Sequence, residues 1–153
     1  MPGALITTTH LEGFRPLGLH GQPVVEAYGQ IARYLRTAMS PAHAALLAEP
    51  NAGVRPGVVE WYAIVDGEVR KPDALSPEER AIFDATLKRQ VDQITARAKL
   101  LKQSKESGEQ LLGELLELSL RVPSTEHIYA VGSQPVLVAW ALYGGKVLGD
   151  RAR

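Results

Sequence analysis

The sequence predicts an α+β fold: a small antiparallel sheet of two hairpins, packed against a long helical hairpin and an N-terminal helix. Three observations carry this. Residues 58–71 read as strand, Asp66-Gly67, strand, the pattern of a two-residue hairpin whose glycine tolerates positive φ. Residues 127–142, "HIYAVGSQPVLVAWAL", repeat that logic with a Gly-containing turn and a longer apolar strand. Between the two, apolar residues recur at helical spacing in two segments broken by "KESGEQ", which is an α-hairpin. One antiparallel layer of about four strands with the helices on one face buries these elements economically.

The elements follow in order. Residues 1–22 are rich in Gly, Pro and Thr; "ALITTT" is a candidate short strand and "PLGLHGQP" reads as loop. Residues 23–143 form the expected single domain, and 144–153 the expected flexible tail. Val24, Tyr28, Ile31 and Leu35 mark a helical face that runs to about Met39, entered through Pro23. Ser40 as N-cap and Pro41 as first residue then begin a short helix. In the first predicted hairpin, Val59, Trp61 and Ala63 share one face. Glu60 interrupts the other, so Trp61 is the expected core residue, with Tyr62 half in and Glu60 outside.

"LSPEERAIF" is the clearest local signal. Ser76 caps, Pro77 opens the helix and Glu79 completes a capping box. A helix to about Lys105 follows, with Leu87, Val91, Ile94, Ala98 and Leu101 stepping by four, three, four and three, a heptad seam. Acidic residues at its start and lysines at its end complement the helix dipole. A second helix over about 109–120 sets Leu111, Leu115 and Leu118 on one stripe, with Leu112 and Leu116 beside it. In the last strand Val136, Val138 and Trp140 share one face, and Leu137, Ala139 and Ala141 the other. Both faces are apolar, which predicts a central position; the two Trp-bearing strands are candidates to pair there.

Composition narrows the function. The 153 residues contain 17 basic and 17 acidic side chains, a balance unlike the basic excess of a dedicated nucleic-acid binder. With no cysteine, disulfides, thiolate nucleophiles and Cys-based metal sites are excluded. His10, His20, His43 and His127 are scattered, without zinc-site spacing. No nucleophile elbow, phosphate loop or paired catalytic carboxylates are legible, so no catalytic, cofactor-binding or metal-ligating residue is assigned. No signal peptide or membrane-spanning run is visible. The expected location is cytoplasmic, with membrane association only through a partner.

Three phrases carry a family resemblance: Ala48-Glu49-Pro50, Trp61-Tyr62 and residues 128–140. Over residues 22–142 the chain resembles a module of bacterial SrfA-type proteins, associated with multi-gene clusters linked to virulence or the cell envelope. The resemblance implies a component of a larger assembly and brings no catalytic residues with it.

The leading expectation is a non-enzymatic protein-interaction module, an adaptor or scaffold piece docking through its helical hairpin or a free sheet edge. Ile94, Leu101, Leu112 and Leu116 are the candidate contacts, and the partner is another protein or a second copy of the chain. One alternative is a small hydrolase or ligand-binding domain with a cleft lined by Glu60, Tyr62 and His127. The other is a self-assembling structural subunit.

Overall fold

A computed structural model describes residues 3–144. The fold is α+β, as the sequence predicts. Its strands are β1 (Leu5–His10), β2 (Phe14–Pro16), β3 (Gly18–Leu19), β4 (Gln22–Pro23), β5 (Glu49–Asn51), β6 (Val58–Tyr62), β7 (Val69–Arg70), β8 (Ile128–Val131), β9 (Gln134–Leu137) and β10 (Leu142–Gly144). Its helices are α1 (Tyr28–Ala38), α2 (Pro41–Ala45), α3 (Pro77–Lys102) and α4 (Ser107–Ser119).

The strands do not form one four-stranded sheet. Two antiparallel three-stranded sheets, β1-β6-β5 and β7-β8-β9, stand beside two-stranded ribbons β2–β10 and β3–β4. The second predicted hairpin is present: β8 and β9 pair from Ile128↔Leu137 to Val131↔Gln134, turning at Gly132 with φ 61°. The first is not. Both edges of β6 are taken, by β1 and by β5, and β7 pairs with β8 instead. The reason lies at Gly67. Its φ is 147°, and a Cβ there would stand 2.7 Å from the Gly132 nitrogen. Two glycine backbones therefore meet, and Gly132 N–H donates to the Glu68 carbonyl at 2.9 Å. Asp66-Gly67 thus carries the chain from one sheet to the other rather than back along β6.

The two sheets are joined through the segment before β5. The Leu137 N–H donates to the Leu46 carbonyl at 2.7 Å, and the Ala48 N–H donates to the Leu137 carbonyl at 3.0 Å. The free edge of β9 is thereby covered, so the strand is flanked on both sides although it ends its own sheet. The Trp140 Nε1–H donates to the Ala48 carbonyl at 2.9 Å, and the Trp61 Nε1–H donates to Thr9 Oγ1 at 2.9 Å. The indole rings meet edge to face at 5.9 Å, a favoured aromatic geometry. The tryptophans therefore pack together, but their strands do not pair. Trp140 lies in a turn after β9, between Ala139 (φ 55°) and Ala141 (φ 59°), so the strict alternation expected past Leu137 does not hold. Trp61 and Trp140 are both fully buried, with Ile31, Leu35, Leu46, Leu47, Ile94 and Leu116 in the same core.

The N-terminal segment belongs to the domain and does not precede it: β1 pairs with β6 along its length, and β2 pairs with β10. "LHGQ" is a tight hairpin, with His20 at φ 54° and Gly21 at φ 81°, as a primed turn requires. Of the expected flexible tail over 144–153, Gly144 instead ends β10 opposite Phe14, and residues 145–153 lie outside the described residues.

The helical signals hold closely. Ser76 Oγ accepts from the Glu79 N–H at 3.1 Å, and the Ser76 N–H donates to Glu79 Oε1 at 3.0 Å, closing the capping box. Ser40 Oγ accepts from the His43 N–H at the start of α2. Residues 24–27 form a 3-10 turn before α1. α4 starts one half-turn earlier than expected, because Ser104 Oγ accepts from the Glu106 N–H and donates to Glu109 Oε1.

Candidate interaction face

The long helix α3 carries two seams. The inner seam is the one the periodicity predicts, and it packs on the sheets and on α4. Phe83, Ile94 and Ala98 are buried, while Leu87, Val91 and Leu101 are half-buried against the core. Gln90 is also buried there, and its Oε1 accepts from Gln134 Nε2 at 3.0 Å, which ties α3 to β9. His43 bridges α2 to α3: its ring nitrogens stand 2.6 Å from Ser40 Oγ and 2.6 Å from Gln93 Oε1.

Two of the four predicted contact residues are therefore unavailable. Ile94, on the heptad seam of α3, and Leu116, on α4, are each 0% exposed, because both face the protein's own core. Leu101 is half-buried against the core, and Leu112 is half-buried on α4.

The outer face of α3 carries a second feature, which the heptad seam does not mark. Ile82 is 62% exposed and Leu100 is 65% exposed. They stand about five turns, or about 27 Å, apart on one side of the helix. Ala85, Arg89, Asp92 and Ala96 lie between them, all exposed, as is Ala81 just before Ile82. The available signal was a second apolar periodicity, weaker than the seam because alanines and two charged residues fill its middle. Among the described residues, no hydrogen bond or ion pair engages Arg89.

Glu60 and Tyr62 stand on β6, and His127 precedes β8 of the other three-stranded sheet. Tyr62 Oη donates to Glu60 Oε1 at 2.7 Å, and this bond raises the Tyr62 pKa. His127 lies elsewhere, beside β8. Its Nδ1 is 3.2 Å from Ser124 Oγ, and its ring sits edge-on to Phe14 at 5.8 Å. Among the described residues no hydrogen bond links Glu60 or Tyr62 to His127.

Burial holds the His127 pKa below the ordinary 6.5. Protonation therefore opposes the folded state, and stability present above pH 6.5 is lost as the pH falls through the folded value. In the His127→Gln variant the melting temperature is expected to fall less steeply with acidification in that window. Equal slopes in the two proteins would remove His127 from the account.

A groove lies over the junction at Ala48, lined by Tyr28, Ala32, Arg36, Pro41, Glu49 and Ile64 among others. Burial pushes the Tyr28 hydroxyl up to about 12, with the Glu49 charge adding to the effect. Tyr28 therefore stays neutral at ordinary pH.

Among the described residues, no three His, Asp or Glu side chains are placed to hold a metal ion. Likewise, no helix among them is long and apolar enough to cross a membrane. Comparison with protein families, with characterised proteins and with solved structures finds no match.

Proposed function

We propose that the protein is a non-enzymatic interaction module, an adaptor or scaffold component that docks through the outer face of α3. One observation carries this reading. The two most exposed large apolar side chains among the described residues, Ile82 and Leu100, stand on the same face of its longest helix. Isolated exposed apolar residues are ordinary. Two on one rigid face, with small and charged residues between, form an anchor pattern with a polar surround. The face rests on a helix fixed by a capping box at one end and by α4 along its side, so it is presented without an ordering cost at binding.

The test is affinity capture with the chain as bait, beside the Ile82→Glu, Leu100→Glu double variant. Proteins specifically retained by the unmodified chain are expected to be lost with the variant. Its melting temperature should stay nearly unchanged, because exposed substitutions of this kind cost about 0.5 kcal/mol or less. Equal retention by both proteins would place the docking surface elsewhere.

A further inference from the structure

The outer seam of α3 is self-complementary, and we infer that its occupant is a second copy of this chain, docked antiparallel about a two-fold axis. This rests on the reading of α3 as the docking face and names its partner. Ile82, Ala85, Arg89, Asp92, Ala96 and Lys99 step by three, four, three, four and three, the spacing of a second heptad seam. Every one of them is exposed.

Such a seam has a definite match when a second helix is laid against it head to tail. Ala85 falls opposite Ala96 of the second copy, and Arg89 falls opposite Asp92. The two-fold axis repeats each contact, so the centre becomes two Arg–Asp pairs with charges alternating around the axis. Alanines on either side allow the helices to approach closely. Beyond them Leu100 meets Ala81 of the second copy, and the aliphatic stem of Lys99 covers Ile82.

Charge complementarity extends to the ends. Glu78 opens the helix and Lys99 stands near its end, both exposed, while Glu79 and Lys102 are held within the chain by Arg70 and Glu117. The antiparallel arrangement sets the acidic start of each helix beside the basic end of the other, and it opposes the two helix dipoles. A parallel arrangement would stack like charges instead. Arg89 has no partner within the described residues, so its guanidinium is free for this contact. Asp92 is held at 2.8 Å by Lys88, an exposed i,i+4 pair that leaves carboxylate lone pairs for Arg89. The zero formal net charge puts little global repulsion between copies.

The experiment uses the full chain in light scattering and sedimentation across a concentration series. The unmodified chain is expected to pass from monomer to dimer. Arg89→Glu alone and Asp92→Arg alone should each weaken the dimer about tenfold or more, since each places like charges across both symmetric contacts. Combined in one chain, the two substitutions exchange the signs and should restore the dimer to within about threefold of the original. A monomer at every concentration overturns the inference, as does a dimer indifferent to both single variants. In either case affinity capture still reports separately on whether the same face serves a different protein.

Discussion

Trp140→Ala is expected to remove about 3–5 kcal/mol of stability. The ring is fully buried and touches Trp61 at 5.9 Å and Tyr28 at 6.0 Å. Its removal leaves a cavity where two sheets and α1 converge, and strips the Ala48 carbonyl of its indole donor. A buried carbonyl without a partner adds about 1–3 kcal/mol to the cavity cost. Domains of this size are stable by only about 5–15 kcal/mol, so the variant should unfold early in urea. Trp140→Phe separates the two effects: it refills most of the volume but leaves the Ala48 carbonyl unpaired. It should fall between the original and the alanine variant. Equilibrium urea unfolding measures all three, and an alanine variant within about 1 kcal/mol of the original would show that the junction is not central to stability.

Gly113→Ala should destabilise the protein although it improves the intrinsic helix propensity of α4. In an exposed helix interior this change gains about 1 kcal/mol. Here the added methyl would stand 2.7 Å from the Ala98 carbonyl oxygen and 2.9 Å from the Lys102 nitrogen. Those atoms are backbone of the neighbouring helix and cannot rotate away. The helices must separate, at a cost of about 1–3 kcal/mol, and a larger side chain such as Val should cost more. Gly108→Ala in the same helix is the control, since nothing lies within 4 Å of its Cβ position. It should leave stability unchanged or slightly raised. If thermal unfolding shows both alanine variants stabilised by similar amounts, α3 and α4 are not as close as Ala98 and Gly113 indicate.

What the sequence revealed is what neighbours along the chain decide. The Ser76–Glu79 capping box, the Ser40-Pro41 start and the Gly132 turn each need only a few adjacent residues, and all three are present. The partners of β6 were not legible, because strand pairing joins distant segments. β5 was hidden for a further reason: its "EPN" contains Pro and Asn, both poor strand formers. Pro50 is tolerated because β5 is an edge strand. The inner faces of α3 and α4 illustrate the limit for sites. Periodicity identified Ile94 and Leu116 as apolar stripe residues, but only the tertiary packing showed that the protein's own core covers them. The same packing turned Ile82 and Leu100 outward, where sequence alone gave them no special standing.

The link between Trp140 and Ala48 also bears on the order in which the molecule can assemble. The two residues are 92 positions apart, and the β2–β10 ribbon joins segments farther apart still. The α3–α4 hairpin, by contrast, needs only a short loop and can form within microseconds. Loop closure must precede the contacts that reward it, which makes such distant pairings slow. The central junction is therefore expected to close late in folding. Until it closes, the edge of β9 and both indoles are open to the wrong neighbours.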